Sequence, residues 1–290
     1  MSGMKAWIKL LRPHHWTKNL FVFTGIVFSH QWDDASLWIN VILAALGFCL
    51  VSSSVYVFND IADREADSKH PTKCRRPIAS GEISVASARV VGVLVLLGGL
   101  ALSALVSLQA LGIAVIYLLM NLAYSAGLKH VAVLDVFIIG LGFMLRILTG
   151  TVGVDIDPSK WLLLCGFMVT LFLGFGKRSA EITALQDESG GHRKALDDYT
   201  APMLDLLLGI SAAGTILTYS LYTLSETTLS VHGTDNLVYT VPFVVYGVFR
   251  YILLVHKKGQ GGDPSTDLFR DHHLLITVLG WGLLTLWLIR

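Results

Sequence analysis

A chain of 290 residues with 53% hydrophobic and 15% charged side chains, and a mean hydropathy of +0.62, falls well short of the roughly 25% charge usual in soluble domains. Lipid is the solvent that such a composition fits. A net charge of +1 gives no bulk field for nucleic acid, and three cysteines without a CxxC spacing indicate neither a disulfide framework nor a zinc site.

The chain opens with Lys5, Lys9 and Arg12 among apolar residues. No compact apolar core or small-residue cleavage site marks a removable signal. Ala6 to Leu11 is expected to lie on the membrane as an interfacial helix. Stretches of about 20 mostly apolar residues then follow at 17–32, 36–58, 84–106, 109–126, 131–153, 159–176, 203–225, 236–256 and 271–289. The expectation is an all-α integral membrane protein with about nine transmembrane helices, in one domain covering residues 1–290.

Most of the 22 Lys and Arg residues fall on one side of this arrangement. They occupy the N-terminal segment and the loops at 59–84, 127–130, 177–202 and 257–270. Lys160 and Arg290 lie on the other side, and Arg89, Arg146 and Arg250 lie within spans. The asymmetry predicts a multi-pass protein of the cell membrane with its N-terminus and long polar loops in the cytoplasm. Loops of that length on one face point to function.

The most informative stretch is YVFNDIADREADSKHPTKCRRPIASG, Tyr56 to Gly81. On a continuing helix Asn59, Asp63 and Asp67 stack at i, i+4, i+8, flanked by Asp60. Like charges at this spacing repel. A hard divalent cation would offset that repulsion, and Mg²⁺ favours a few carboxylates shared with substrate phosphates. Pro71 ends the helix. Lys73, Arg75 and Arg76 follow, the residue types that read phosphate. Acids and cations side by side suit a Mg²⁺-bound diphosphate.

Two further groups of polar residues fit the same chemistry. YSAGLKHVAVLD holds Tyr124, Lys129 and Asp135. Arg146 follows about three helical turns after Asp135, on the same expected helix face. An arginine within a span normally faces a polar cavity. GFGKRSAEITALQDESGGHRKALDDYT brings Lys177, Arg178 and Glu181, then Arg193, Lys194, Asp197 and Asp198. His14–His15 and His272–His273 fall at membrane-interface positions, and Gly259, Gly261 and Gly262 read as a turn.

The string NDxxDxxxD, after an apolar helix and before HPTKxxRPIAxG, resembles the UbiA-type intramembrane prenyltransferases. The resemblance covers nearly the whole chain and implies a UbiA-like helical bundle with a cytoplasmic active-site cavity. Typical members carry a second aspartate-rich motif near 177–202, and this chain has cations there instead. GLKH with GKRxAE and HRKxLxxYT looks like the decaprenyl-phosphate phosphoribosyltransferase branch, which serves cell-wall synthesis. That resemblance implies 5-phosphoribosyl diphosphate as donor, a polyprenyl phosphate as acceptor and Mg²⁺ as cofactor. Asn59, Asp60, Asp63 and Asp67 would hold the metal, the three aspartates serving catalysis. Lys18, Tyr56, Lys73, Arg75, Arg76, Tyr124, Lys129, Arg146, Lys177, Arg178 and Glu181 would contact substrate. The lipid bilayer is the other expected partner, and a homo-oligomer is compatible with this reading. The alternatives are prenyl transfer to an aromatic acceptor, which wants the missing acidic motif, and transport, which wants polar residues spread through the spans.

Overall fold

The computed structural model describes residues 2–185, 196, 198–257 and 264–290. Arg193, Lys194, Asp197, Gly259, Gly261 and Gly262 lie outside the described residues. Among those described, every regular element is a helix. Contacts divide the chain into two compact units, 1–128 with 145–157, and 129–144 with 158–290.

The first unit begins with α1 (Ser2–Leu11). Ala6 and Leu10 of this helix pack on Val57, Ile78, Ile83 and Ala88, while Met4 and Ile8 stay exposed. This one-sided burial matches the amphipathic helix expected from the sequence. The next segment departs from expectation. Residues 17–32 do not form one spanning helix. A 3₁₀ run, Pro13–Phe23, leads into the short α2 (Thr24–Phe28). Three residues per turn eclipse positions i and i+3, which sets Trp16, Asn19 and Val22 on one side. Trp16 Nε1 donates to Ser53 Oγ at 3.0 Å. Asn19 Nδ2 donates to Ser52 Oγ at 3.3 Å and lies 3.1 Å from Cys49 Sγ. Val22 is fully buried. A wider α-helix would break this register.

The main helix of the unit is α3 (Ala35–Ala62), 28 residues with Asp34 as its cap. The Asp34 carboxylate accepts from the backbone N–H groups of Ser36 and Leu37. Together with the Ser36 hydroxyl these bonds hold its pKa below the usual carboxylate value. The short α4 (Arg64–Ser68) follows, then α5 (Val85–Val106) and α6 (Leu108–Ala126). Small residues let backbones approach closely in lipid. A Cβ on Gly99 would stand 2.8 Å from the Gly47 carbonyl oxygen, so α3 and α5 touch backbone to backbone.

The helix α7 (Leu134–Thr149) begins in the second unit and ends in the first. Its tail packs tightly within the first unit, where a Cβ on Gly150 would lie 1.6 Å from the Val22 carbonyl oxygen. Backbone cannot yield as a side-chain tip can. Gly150→Ala should therefore cost about 3 kcal/mol or more, read as a lower thermal unfolding midpoint in detergent, whereas Gly112→Ala, with open space around it, should not.

The second unit continues with α8 (Lys160–Leu185), α9 (Ala201–Leu224), α10 (Glu226–His232), α11 (Val241–His256), α12 (Pro264–Arg270) and α13 (His272–Leu288). Phe172, Leu208, Ala212, Val248, Tyr251 and Leu254 form its main apolar core. Asp271 caps α13 and pairs through both oxygens with Arg250, at 3.1 and 2.6 Å. The Arg250 guanidinium holds the Asp271 pKa down at about 2, so the pair stays ionised in mild acid.

Among the described residues, seven helices are long and apolar enough to cross a membrane: Ala35–Ala62, Val85–Val106, Leu108–Ala126, Leu134–Val154, Lys160–Thr183, Ala201–Leu224 and Asn236–His256. His272–Leu288 is a shorter apolar helix. Seven of the expected spans thus recur as long helices, the last as a 17-residue apolar helix, and only the first is replaced, by the 3₁₀ run and α2. Leu105, Leu108 and Leu283 are each at least 70% exposed, as side chains facing acyl chains would be.

Candidate active site

In the first unit the polar residues gather where α3 ends. Asn59 and Asp60 lie in its last turn. The helix does not run on to Asp67 as the spacing suggests. It breaks at Asp63, which has φ −87° and ψ 3°, and restarts as α4. The Asp63 N–H donates to the Asn59 carbonyl at 2.9 Å, and the Asp67 N–H to the Asp63 carbonyl at 2.8 Å. Asp60 and Asp67 are both 3% exposed, and Asp63 is half-buried.

Two arginines meet these acids. Arg12 Nη2 donates to Asp60 Oδ1 at 2.6 Å. Arg76 Nη1 lies 3.0 Å from the same oxygen and 2.7 Å from Asp67 Oδ2. Arg12 stands between α1 and the 3₁₀ run with φ 52° and ψ 53°, a left-handed conformation uncommon outside glycine and characteristic of constrained sites. The Lys9 ammonium donates to the Arg75 carbonyl, which ties α1 to the basic turn. Lys73 and Arg75 themselves are exposed.

Along α3 the same unit continues the polar file inward. The Arg12 guanidinium carbon sits 5.0 Å from the centre of the Tyr56 ring. His15 Nδ1 and Tyr56 Oη are 3.2 Å apart. Ser125 Oγ donates to Asn59 Oδ1 at 2.5 Å, and Tyr124 beside it is half-buried, as is Lys18. Deeper still, Arg146 Nε donates to Asn19 Oδ1 at 2.8 Å and Nη2 to Tyr117 Oη at 3.2 Å. Its guanidinium carbon lies 5.1 Å from the Tyr117 ring centre and 5.3 Å from that of Phe48. An amide oxygen and two π faces thus hold the cation, which is 5% exposed.

The second unit has its own charged cluster. Arg178 Nε donates to Asp135 Oδ2 at 2.8 Å and Nη1 to Glu181 Oε2 at 2.5 Å. The Tyr199 hydroxyl donates to Asp135 Oδ1 at 2.9 Å and accepts from the Val133 N–H at 2.6 Å. Burial, with the Asp135 charge beside it, pushes the Tyr199 pKa up and keeps the phenol protonated. Val133 has φ 66°, a strained choice for a β-branched residue. Its N–H is pinned by Tyr199 immediately ahead of α7. Asp135 and Arg178 are 0% and 2% exposed, Lys177 is exposed, and Lys129 and Glu181 are half-buried. Asp135 and Arg146 therefore do not serve one common pair. Each is held inside its own unit by other residues.

Against family models, residues 19–288 match the UbiA prenyltransferase family. The chain belongs to the UbiA family. It is 33% identical over 292 residues to the decaprenyl-phosphate phosphoribosyltransferase of Mycolicibacterium smegmatis, covering 97% of this chain and 90% of that protein. The protein of the same name from Corynebacterium glutamicum is also 33% identical, with 94% and 83% covered. Among solved structures, a UbiA homolog from Archaeoglobus fulgidus bound to GPP and Mg²⁺ superposes with a TM-score of 0.75 at 17% identity, over 97% of this chain and 99% of that one. At that identity the likeness is one of fold.

Within this UbiA-family chain, Asn59, Asp60, Asp63 and Asp67 offer only hard oxygen donors, the set that Mg²⁺ selects. Asp60 and Asp67 already converge on one positive nitrogen, that of Arg76. The residues therefore fit a divalent cation, although among the described residues no group of three or more His, Cys, Asp or Glu stands ready to hold one as placed. Four contributors escaped sequence reasoning. Arg12 and Asn19 carried a signal, a charged and an amide side chain bordering an apolar run. Tyr199 stands in the HRKxLxxYT motif, but its partner Asp135 is 64 residues away, and Ser125 carried no signal, its partner Asn59 being 66 residues away.

Proposed function

We propose that this chain transfers a 5-phosphoribosyl group from 5-phosphoribosyl 1-diphosphate to a polyprenyl phosphate, decaprenyl phosphate by analogy with its relatives. The 33% identity over 94–97% of the chain to proteins of that name, together with acids and arginines meeting at the end of α3, supports the reading. Residues 1–290 act as one catalytic domain, set in the cell membrane with the N-terminus and the acidic helix end on the cytoplasmic side.

In this reading a lipid phosphate oxygen attacks C1 of the ribose, the bond from C1 to the diphosphate oxygen breaks, and diphosphate leaves with that electron pair. The attacking oxygen is already anionic near neutral pH, so no strong general base is needed. Asn59, Asp60, Asp63 and Asp67 hold Mg²⁺, which neutralises charge building on the leaving group. Arg12, Lys73, Arg75 and Arg76 supply further positive charge to the diphosphate. Tyr56, ordered by His15 and Arg12, orients the ribose. Lys18 adds positive charge toward the diphosphate, while Arg146 of the first unit and Lys129, Lys177 and Arg178 of the second are the cations available to the ribose 5-phosphate and the lipid phosphate. Direct displacement inverts the anomeric centre.

Purified protein incubated with ribose-labelled donor, polyprenyl phosphate and Mg²⁺ should yield a labelled lipid, and excess chelator should stop it. Turnover of a prenyl diphosphate with an aromatic acid, without any labelled lipid, would establish prenyl transfer instead.

A further inference from the structure

The arginines at the end of α3 do more than add charge. Asp60 Oδ1 accepts from Arg12 and Arg76 together, and one nitrogen, Arg76 Nη1, is shared with Asp67 Oδ2. Asp60 belongs to α3 and Asp67 to α4. A single positive group joining two carboxylates from two helices does what a bound cation would do. Two aspartates and two arginines also leave this set with no formal net charge.

A bare divalent cation gains little here. To reach both carboxylates it must displace Arg76, and the displaced guanidinium then sits beside a doubly charged ion. A cation arriving with a diphosphate meets a different balance. The anionic oxygens accept the guanidinium as the carboxylates release it, and arginine matches phosphate as well as carboxylate. Arg76 is placed to make that exchange. Its side chain is 28% exposed while the two carboxylates are nearly buried, and it follows directly on the short turn Lys73–Arg75, outside the apolar clusters of the unit.

We propose that Arg76 makes the acidic end of α3 selective for a metal–diphosphate complex over the bare cation, by holding Asp60 and Asp67 until diphosphate takes over its guanidinium. This rests on the reading of that helix end as a metal–diphosphate site. Metal and donor then bind as a coupled pair, and the carboxylates stay neutralised when donor is absent.

Mn²⁺, visible by electron paramagnetic resonance, serves as the probe on the full chain in detergent. Titrations with and without inorganic pyrophosphate, corrected for the Mn²⁺–pyrophosphate complex in solution, are made on wild type and Arg76→Gln. Arg76→Met, which keeps an apolar stem, takes its place if Arg76→Gln does not fold. Wild type should bind Mn²⁺ at least about tenfold more tightly with pyrophosphate, within the usual range of coupling between sites. The variant should bind bare Mn²⁺ at least about tenfold more tightly than wild type and keep less than about threefold enhancement. Equal affinity of wild type and variant for bare Mn²⁺ would overturn the gating role of Arg76 while leaving the metal site standing. Failure of both proteins to bind Mn²⁺, with or without pyrophosphate, would instead remove the metal–diphosphate reading itself.

Discussion

Asp60→Asn should lower phosphoribosyl transfer by about 10³-fold or more, equivalent to about 4 kcal/mol of transition-state stabilisation, with little change in thermal stability. Asp60 is the acid on which the site converges, accepting from Arg12 at 2.6 Å and Arg76 at 3.0 Å. Asparagine keeps the shape and one acceptor oxygen but loses the charge. In the proposed reaction that charge helps hold the metal against the departing diphosphate, an interaction that strengthens as the bond breaks. The loss should therefore fall mainly on kcat. The fold should survive, because the residue ends α3 and Arg76 retains Asp67. Steady-state kinetics with labelled donor, beside a detergent melting curve, decides the matter. Activity within tenfold of wild type would show that the reacting diphosphate sits elsewhere.

Asp135→Ala should act on stability first. It removes the buried counter-charge that pairs with the Arg178 guanidinium at 2.8 Å, where Arg178 is 2% exposed. Breaking one partner of a buried pair costs about 3–5 kcal/mol. The Tyr199 hydroxyl also loses its acceptor, which loosens the strained Val133 turn ahead of α7. Replacing both charges, as in Asp135→Leu with Arg178→Met, should recover most of the loss, because no unpaired charge is then buried. Melting midpoints of Asp135→Leu, Arg178→Met and the double variant in the same detergent provide the cycle. Additive losses would mean that Asp135 and Arg178 stabilise the unit independently, contrary to the 2.8 Å bond between them.

Much of the architecture was legible because hydropathy is a local property. Long apolar runs in a chain poor in charge leave helices as the economical way to satisfy the backbone in lipid, and the middle of the expected span list agrees with the structure. The first span misled for a physical reason. Residues 17–32 are apolar enough to look like a span, yet the chain there folds as a 3₁₀ run so that Trp16 and Asn19 both reach serines of α3. Composition cannot distinguish three from 3.6 residues per turn. The acidic stretch was legible in content and misjudged in form, since spacing implied an unbroken helix through Asp67 while the backbone turns at Asp63.

By itself the sequence determined that this protein is an all-helical membrane chain of the UbiA family and where along it the acids and bases lie. Only the tertiary structure decided which of them meet: Arg12 with Asp60 across 48 residues, Arg146 with Asn19 across 127, and Arg178 with Asp135 across 43. A buried charge must find a partner, but the partner is whichever group packing brings within about 3 Å, and packing is settled by the shapes of distant helices rather than by neighbours in the chain.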